Sequence, residues 1–410
     1  MSPGSRFQAP PGTHDILPAD FRSWNRITRA AEDVCDVYGY RPIRTPAFED
    51  TELFARTSGA GSDVVRKEMY TFEDRGGRSL TLRAEATAPI CRAYVEHGLY
   101  REPQPQKLYT VAPQWRYDRP QKGRFREHNQ LSVEAIGTDD PAIDAELIQL
   151  YSELLRRLGI GGYQIALNSI GDRACRPAYV ERLRGWLADH DGELDDDTRA
   201  KASVSPLRVF DTKNPEVARA LEAAPKIGES LCDDCARAFA EVRRCLDAYE
   251  IDYTVVPTLV RGLDYYTRTT FEFTGSDLGA QSALLGGGRY DYLVEEIGGP
   301  PTPAIGFGAG IERLQLSVPA EQDQPGIDVF FAFEDGVDRA TVLPLMAELR
   351  RRGKRCDTDY AHRSLKGQLT HASRLGARIT VVVASDGATI RRAGADDIRV
   401  TLEEVLDEVA

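Results

Sequence analysis

The 410-residue chain lacks any apolar run long enough to cross a bilayer. Its longest largely apolar stretches, such as Ile379–Ala384, stop far short of the roughly 20 residues that a spanning helix takes. The opening "MSPGSRFQAPPG" holds no apolar segment, which argues against a secretory signal. Cysteines number seven, an odd count in a long chain, so no disulfide framework is expected and a reducing cytoplasm is the expected setting. An excess of positive charge is missing too: the formal net charge is -12. That excludes indiscriminate coating of nucleic acid but leaves room for a local basic site. Neither G-x-x-x-x-G-K-[ST] nor a G-x-G-x-x-G opening a strand–helix–strand unit occurs, so the two common nucleotide-binding folds are poor candidates. His14, His97, His128, His190, His362 and His371 show no ligand spacing and read as solvated or packing residues, with His128 in a basic loop. "CDDC", Cys232–Cys235, has no second cysteine pair, and Cys245 is ten residues further on. A structural zinc site normally takes four ligands, so no metal ligand is assigned.

What is present is ordinary soluble composition, 41% apolar and 28% charged, at a length that suggests two or three domains. Apolar positions at helical spacing, Trp24, Ile27, Ala31, Val34 and Val37-Tyr38, predict a helix over Phe21–Tyr38, ended by Gly39. Extended runs follow at Met69–Phe72, Ser79–Arg83, Lys107–Tyr117 and Gln130–Gly137, separated by turn or basic-loop chemistry; this predicts an antiparallel sheet. Pro141–Leu158 reads as a helix and "YQIALNSIG" as a strand. Residues 173–250 are helical and charged between strand-rich regions, hence a helical insertion. Strands resume at Tyr253–Val256, Arg268–Phe273 and Ser282–Leu285, before "GGGRYD" and a short helix. The linker "SVPAEQDQPG" marks a boundary near residue 325, and residues 326–410 alternate strand and helix as a small α/β domain.

Three stretches invite chemistry. "RYDRPQKGRFRE", Arg116–Glu127, carries five Lys/Arg against one Asp and one Glu in a hairpin loop shaped by Pro120 and Gly123. Guanidinium grips phosphate in a planar, two-pronged way, so the loop reads either as a phosphate clamp or as an exposed hairpin with solvated charge. "AIGFGAGIERL", Ala304–Leu314, runs from a strand through glycines into a helix bearing Arg313, with room for a ligand near the backbone. Taken alone, Arg313 better suits a helix that sends its arginine to solvent. "LVRGLDYYTRTTFEF", Leu259–Phe273, is β-prone at both ends, yet Arg261, Asp264 and two tyrosines interrupt it. A core strand does not take an unpartnered arginine. A further basic stretch, Arg350–Arg378, has nine Lys/Arg against Asp357 and Asp359, and fits a solvated face as well as a binding surface.

In this order the pieces resemble class II aminoacyl-tRNA synthetases: a helix and strand ending near Pro46, a strand–loop–strand with Arg116, and a Gly-rich strand entering a helix with Arg313. "LVRGLDYYTRTTFEF" with "GGGRYD", "TLRAEATAP", "RPQKGRFRE" and "QLSVEAIG" resemble the histidyl-tRNA synthetase family from about Pro11 to the C-terminus.

The resemblance implies an α+β fold: a class II antiparallel sheet flanked by helices in a catalytic domain over 1–325, the insertion 173–250 within it, and an anticodon-binding α/β domain over 326–410. It implies activation of L-histidine by ATP to histidyl-adenylate, Mg²⁺ bridging the phosphates, and transfer to the 3′ end of histidine tRNA by a cytoplasmic homodimer paired through the first motif. Catalysis falls to Arg116 and Arg261 on either side of the α-phosphate and substrate carboxylate. Arg313 holds the γ-phosphate end, and Asp118 and Arg124 complete the ATP contacts. Glu85, Ala86, Thr87 and Gln130 belong to the amino end of histidine; Glu134 and Tyr266 read the imidazole beside Tyr265; Arg119, Gln121 and Arg126 meet the tRNA acceptor end. The family's "RPEGT" reads "RAEAT" here, Asp118 replaces a usual Glu, and His128 a usual Phe. Two rivals share the resemblance: the histidine-sensing regulatory subunit of ATP phosphoribosyltransferase and a non-catalytic sensor of uncharged tRNA. The first generally lacks the C-terminal domain and an intact Arg261 loop, and the second loses a motif arginine. All of these are present here.

Overall fold

A computed structural model describes residues 7–57, 59, 62, 64–212, 214–275, 283–319 and 326–409. Ser282 and most of the linker "SVPAEQDQPG" fall outside them. The chain divides into two compact units, Met1–Pro319 and Ala320–Ala410.

In the first unit α1 (Phe21–Val37) buries Ile27, Ala31, Val34 and Cys35, the face predicted from spacing. Gly39 leaves the helix at φ +77°, a conformation that glycine adopts without steric cost. The proline-rich segment beyond it supplies β1 (Arg41–Pro42) and is held by buried Arg83, which donates to Thr45 O and Pro46 O at 2.9 Å and to Pro113 O at 2.8 Å. Next come β2 (Phe48–Asp50), α2 (Thr51–Thr57), β3 (Thr71–Glu73) and β4 (Ser79–Leu82). The strands β2, β4 and β3 form a small sheet of their own rather than joining the main one, a division the strand pattern did not reveal.

Then follow α3 (Thr87–Glu96), β5 (Gln106–Trp115), β6 (Glu127–Ile136), α4 (Ala142–Leu158) and β7 (Tyr163–Ser169). The helical region contributes α5 (Arg176–Asp189), α6 (Asp196–Val204), α7 (Pro215–Ala220) and α8 (Asp233–Ala248). Tyr179, Leu183, Leu187, Val209 and Val217 give it a core of its own, whereas α8 sends Val242 and Leu246 into the main core. The unit closes with β8 (Thr254–Val255), β9 (Thr267–Gly275), β10 (Ala283–Arg289), α9 (Leu293–Glu296), β11 (Ala304–Gly310) and α10 (Ile311–Ser317).

The main sheet has eight strands in the order β1-β5-β6-β11-β10-β9-β7-β8, antiparallel except for the two edge pairs. One face packs on α1 and α4, where Tyr151 stands edge-on between Phe273 (4.9 Å) and Phe307 (5.5 Å). Each such buried aromatic contributes about 1.5–3 kcal/mol. The sequence pattern ended a strand at Leu285; β10 instead continues through Gly286, Gly287 and Gly288 to Arg289, paired with β9 on one side and β11 on the other, and these positions are glycine where their neighbours leave no room for side chains.

The second unit comprises β12 (Val329–Phe333), α11 (Leu343–Arg351), β13 (Cys356–Thr358), α12 (Leu365–Arg374), β14 (Ile379–Ala384), β15 (Gly387–Arg392), β16 (Ile398–Val400) and α13 (Val405–Val409). Its sheet runs β13-β12-β14-β15-β16. Strand β12 is buried on both faces, Val329, Phe331 and Phe333 in one cluster and Phe330 and Ala332 in another. That explains why its sequence is a continuous apolar run.

Candidate functional site

The free face of the main sheet carries glycines where a sheet centre ordinarily carries bulk. Side chains alternate along a strand, so Gly286 and Gly288 of β10 share a face with Gly306, Gly308 and Gly310 of β11. Polar residues stand opposite them: Glu272 pairs with Gly286, Glu134 with Gly306, Ser132 with Gly308 and Gln130 with Gly310. The polar heads lie over the glycines. A Cβ at Gly306 would sit 1.6 Å from Glu134 Oε2, one at Gly308 2.1 Å from Gln130 Nε2, and one at Gly286 1.6 Å from Arg261 Nη2. Gly286, Gly308 and Gly310 line a cavity of about 420 Å³, and Gly288 and Gly306 continue the same face beneath Tyr266 and Glu134.

At one end the walls are acidic and phenolic. Glu134 is fully buried on β6; Tyr290 OH donates to it at 2.5 Å and Thr87 Oγ1 at 2.7 Å. Burial pushes its carboxyl up to about 8 against the pull of those two hydroxyls, and neighbouring Glu85 adds to the rise. Glu85 accepts from the backbone N–H groups of Thr87 (2.7 Å) and Ala88 (2.9 Å), so it serves the open N-terminus of α3, with Ala86 as the capping position. Burial also raises its carboxyl above the usual range. A carboxylate oxygen has two lone pairs, so Glu85 can still accept from an ammonium group. Tyr265 and Tyr266, with ring centres 4.6 Å apart, close this end, and Tyr290 stands edge-on to Tyr265 at 5.8 Å.

At the other end the walls are cationic. Arg116 donates through Nε to Ala84 O at 2.7 Å, and its Nη nitrogens make no hydrogen bond or ion pair among the described residues. Arg313 is anchored to Gly123 O (3.2 Å) and Ala283 O (2.5 Å). Burial lowers its pKa, and Arg124 and Arg116 lower it further, the signature of crowded positive charge. Arg124 is ion-paired with Asp118. His128 lines the same cavity rather than solvent. Burial first, then Arg116, Arg313 and Arg124, push it down to about 3, so its imidazole is neutral. Three guanidiniums around a cavity form a strong anion site.

Arg261 links the two ends. Its partner is Glu272, an acid that the sequence reading did not single out; the signal was a lone glutamate between Phe271 and Phe273 on an otherwise core-facing strand. Arg208 and Asp211, from the helical region, also line the cavity, and nothing local in the sequence marks them.

Of the residues named from sequence, Glu85, Thr87, Arg116, Asp118, Arg124, Gln130, Arg261, Tyr265, Tyr266 and Arg313 line this one cavity. Ala86 and Glu134 are buried directly behind it. Arg119, Gln121 and Arg126 do not line it. Arg119 and Gln121 are exposed on the hairpin loop, which Gln121 and Arg124 close with reciprocal backbone bonds of 3.0 and 2.9 Å. The Arg126 guanidinium lies 3.8 Å over the Tyr117 ring and donates to Asp118 O and Pro11 O, so it docks the N-terminal strap. Cys232 and Cys235, left without partners by the sequence spacing, meet Asp172 and Cys175 in space.

The model for the family described as histidyl-tRNA synthetase matches residues 12–314. A histidine–tRNA ligase of Caldanaerobacter subterraneus subsp. tengcongensis is 46% identical over 92% of both chains. The apo histidyl-tRNA synthetase of S. aureus superposes with a TM-score of 0.83 at 33% identity, covering 98% of this chain and 99% of that one. A Bacillus halodurans structure described as an ATP phosphoribosyltransferase regulatory subunit/histidyl-tRNA synthetase is similar at 23% identity, a TM-score of 0.67, and 93% and 100% coverage; it shares the fold.

Proposed function

The chain belongs to the histidyl-tRNA synthetase family, and from that premise we infer how it acts as an ATP-dependent histidine–tRNA ligase. The observation that carries the reading is a single cavity with an acidic, phenolic end and an arginine-rich end. Histidine fits the first: Glu85, Thr87 and Gln130 take its ammonium, and Glu134 and Tyr266 its imidazole, walled by Tyr265. The triphosphate fits the second: Arg313 and Arg124 grip it, with Asp118 toward the base, and Arg116 and Arg261 flank the reacting carboxylate and α-phosphorus. The carboxylate oxygen attacks that phosphorus and pyrophosphate leaves. Positioning and charge neutralisation supply most of the acceleration for such a step. A tRNA 3′-terminal hydroxyl then displaces the adenylate.

Magnesium binds through one or two carboxylates plus phosphate oxygens and water. The cavity offers Glu272 and Glu312, whose Oε2 is buried without a hydrogen-bond partner. Their hard oxygens suit the ion, which neutralises phosphate charge when bound. We assign the tRNA acceptor end to Arg119 and Gln121, exposed on the hairpin loop, with Arg126 tying that loop to Pro11. We assign residues 326–410 to the anticodon, through Lys366 and Arg374 on α12, and residues 1–325 to catalysis, with 173–250 as an insertion. Pairing into a homodimer through the segment ending near Pro46 accords with Phe48 and Phe72, exposed 48% and 41% on the adjoining small sheet. Seven free thiols suit a reducing cytoplasm. The regulatory-subunit alternative has no use for intact Arg116, Arg261 and Arg313 together in one cavity. Histidine-dependent ATP–pyrophosphate exchange tests the reading; no exchange by folded protein with any of the twenty amino acids would overturn it.

A further inference from the structure

We propose that Asp172, Cys175, Cys232 and Cys235 hold a structural zinc ion at the root of the helical region. One ligand atom from each residue lies within 4.8 Å of all the others. The thiols of Cys175 and Cys235 are 3.8 Å apart, and Cys175 Sγ lies 3.4 Å from Asp172 Oδ1. A tetrahedral zinc ion, with Zn–S about 2.3 Å and Zn–O about 2.1 Å, sets S···S near 3.8 Å and S···O near 3.6 Å. The two measured spacings match that coordination sphere, the 4.8 Å limit leaves room for the four atoms to close around one ion, and the 3.8 Å between the sulfurs is far wider than the roughly 2.05 Å of a disulfide. Thiolate-rich tetrahedral donors select zinc over the hard cations.

The surroundings suit the ion. Cys175 caps the 14-residue helix α5, and Cys232 caps the 16-residue helix α8, so two helix N-termini, which favour negative charge, converge on the thiolates. The Asp172 N–H donates to Cys175 Sγ at 3.3 Å. Gly171 has φ +63°, and a Cβ there would meet that sulfur at 2.6 Å, so the turn needs glycine for both conformation and space. The remaining Asp172 oxygen faces Arg268 at 3.5 Å, an outer partner that orients the carboxylate. Asp172, Cys175 and Cys235 are buried and Cys232 is half-buried, which gives the ion a way in. Four protein ligands leave no open position, so the role is structural rather than catalytic.

The consequence reaches the cavity. Cys175 and Cys232 stand at the entry to α5 and the entry to α8, so one ion ties together both ends of the segment that supplies Arg208 and Asp211. Beside the cluster, Arg176 Nη2 donates to Tyr266 O at 2.6 Å, and Arg268 N donates to Gly171 O at 2.7 Å. The ion thereby braces the backbone of the tyrosine wall.

The test uses the full-length protein purified without chelators. Elemental analysis is expected to give about one zinc per chain, falling at least tenfold in Cys175→Ser and Cys235→Ser but not in Cys245→Ser or Cys356→Ser. If the first two variants fail to fold, cobalt exchange into the unaltered protein decides: a thiolate-to-cobalt charge-transfer band with tetrahedral ligand-field bands is expected. Removing the ion is expected to speed proteolysis within residues 176–231. Folded protein that exchanges pyrophosphate yet carries no metal and takes up neither zinc nor cobalt would overturn the proposal. So would a Cys175–Cys235 disulfide in a non-reducing peptide map. Because pyrophosphate exchange is measured separately, failure here leaves the ligase reading intact.

Discussion

Two basic regions of similar sequence density turn out to be electrostatic opposites. In Arg350–Arg378 the structure supplies local acceptors: Glu348 takes Arg351 and Arg352, Asp328 takes Arg355 and Arg378, buried Asp359 takes Arg363, and Arg350 donates to Cys356 O. Lys366 and Arg374 on α12 keep no ion pair among the described residues. Around the cavity, Arg116 and Arg313 have carbonyl partners only, and the carboxylates Asp118 and Glu272 meet Arg124 and Arg261 alone. Charge counted along a sequence says little about field. A positive field survives at Arg116 and Arg313, which no carboxylate engages in an ion pair among the described residues, and holding them partly desolvated costs stability that an anionic ligand offsets.

The sharpest way to break this comparison is to remove one arginine from each region. Arg116→Ala or Arg261→Ala should lower pyrophosphate exchange about 10²–10³-fold, the scale for losing one group that stabilises charge in a transition state. Arg352→Ala, an exposed i,i+4 pair with Glu348, should change exchange less than about twofold and stability by under about 0.5 kcal/mol. Comparable losses from both would mean that the cavity arginines act only on folding.

Much of this cavity was legible in the sequence, for a physical reason. Arg116, Arg261, Arg313 and the tyrosine pair violate the local pattern of the strands and helix that bear them, and residues that violate a pattern belong to sites. The glycine runs were legible as places of close approach, but not as one floor, because the β10–β11 register is a long-range fact. Partners drawn from distant segments were invisible for the same reason: Tyr290 for Glu134, and Asp172 with Cys175 for the CDDC pair. Glu272, the partner of Arg261, lay within the same stretch and was overlooked as an ordinary strand position. Arg126 had the residue type of a nucleic-acid contact and the geometry of a clamp on Pro11, and composition cannot separate the two. In the C-terminal region, helices and strands were clear from periodicity, whereas the neutralisation of its charge depended on Glu348 and Asp328, which lie outside the basic stretch.

The opposite end of the cavity sharpens the contrast, since its key acid is held neutral. Glu134 has its carboxyl at about 8, while a free imidazole titrates near 6.5. If Glu134 meets the imidazole of histidine, then between those values acid and ligand share one proton, as carboxylic acid with imidazole or carboxylate with imidazolium. Above pH 8 the site loses that proton, and below about 6.5 the complex must shed one. Histidine affinity should therefore be greatest between, falling about tenfold per pH unit on either side. Glu134→Gln cannot ionise, so it should abolish the high-pH fall while the low-pH fall remains. Titration of histidine binding by calorimetry across pH checks this, and an unchanged high-pH limb in the variant would refute the assignment.

A third cut distinguishes floor from core on the two paired strands β10 and β11. Gly308→Ala meets only the movable amide of Gln130, so the fold should survive while KM for histidine rises about tenfold, the cost of one displaced hydrogen bond to a charged group. A Cβ at Gly287, on the other face, would lie 2.6 Å from Gly306 O and 2.7 Å from Phe271 and Phe307 side-chain carbons. Gly287→Ala should therefore lower Tm by several degrees or prevent folding. If Gly308→Ala behaved like Gly287→Ala, the cavity face would be serving the core.

The smallest expected effect returns to the C-terminal region. Lys366 and Arg374 lie along one side of α12 with apolar Leu365 and Leu369, and among the described residues no carboxylate neutralises either of them. If that helix meets the anticodon, Lys366→Ala and Arg374→Ala should each raise KM for tRNA only about threefold and reduce the salt dependence of tRNA binding by about one counterion. Pyrophosphate exchange, which involves no tRNA, should not change. Arg351→Ala and Arg352→Ala, already paired with Glu348, should leave both readouts unchanged. Equal salt slopes for all four variants would mean that the whole basic stretch is a solvated face, and the anticodon would then be read elsewhere.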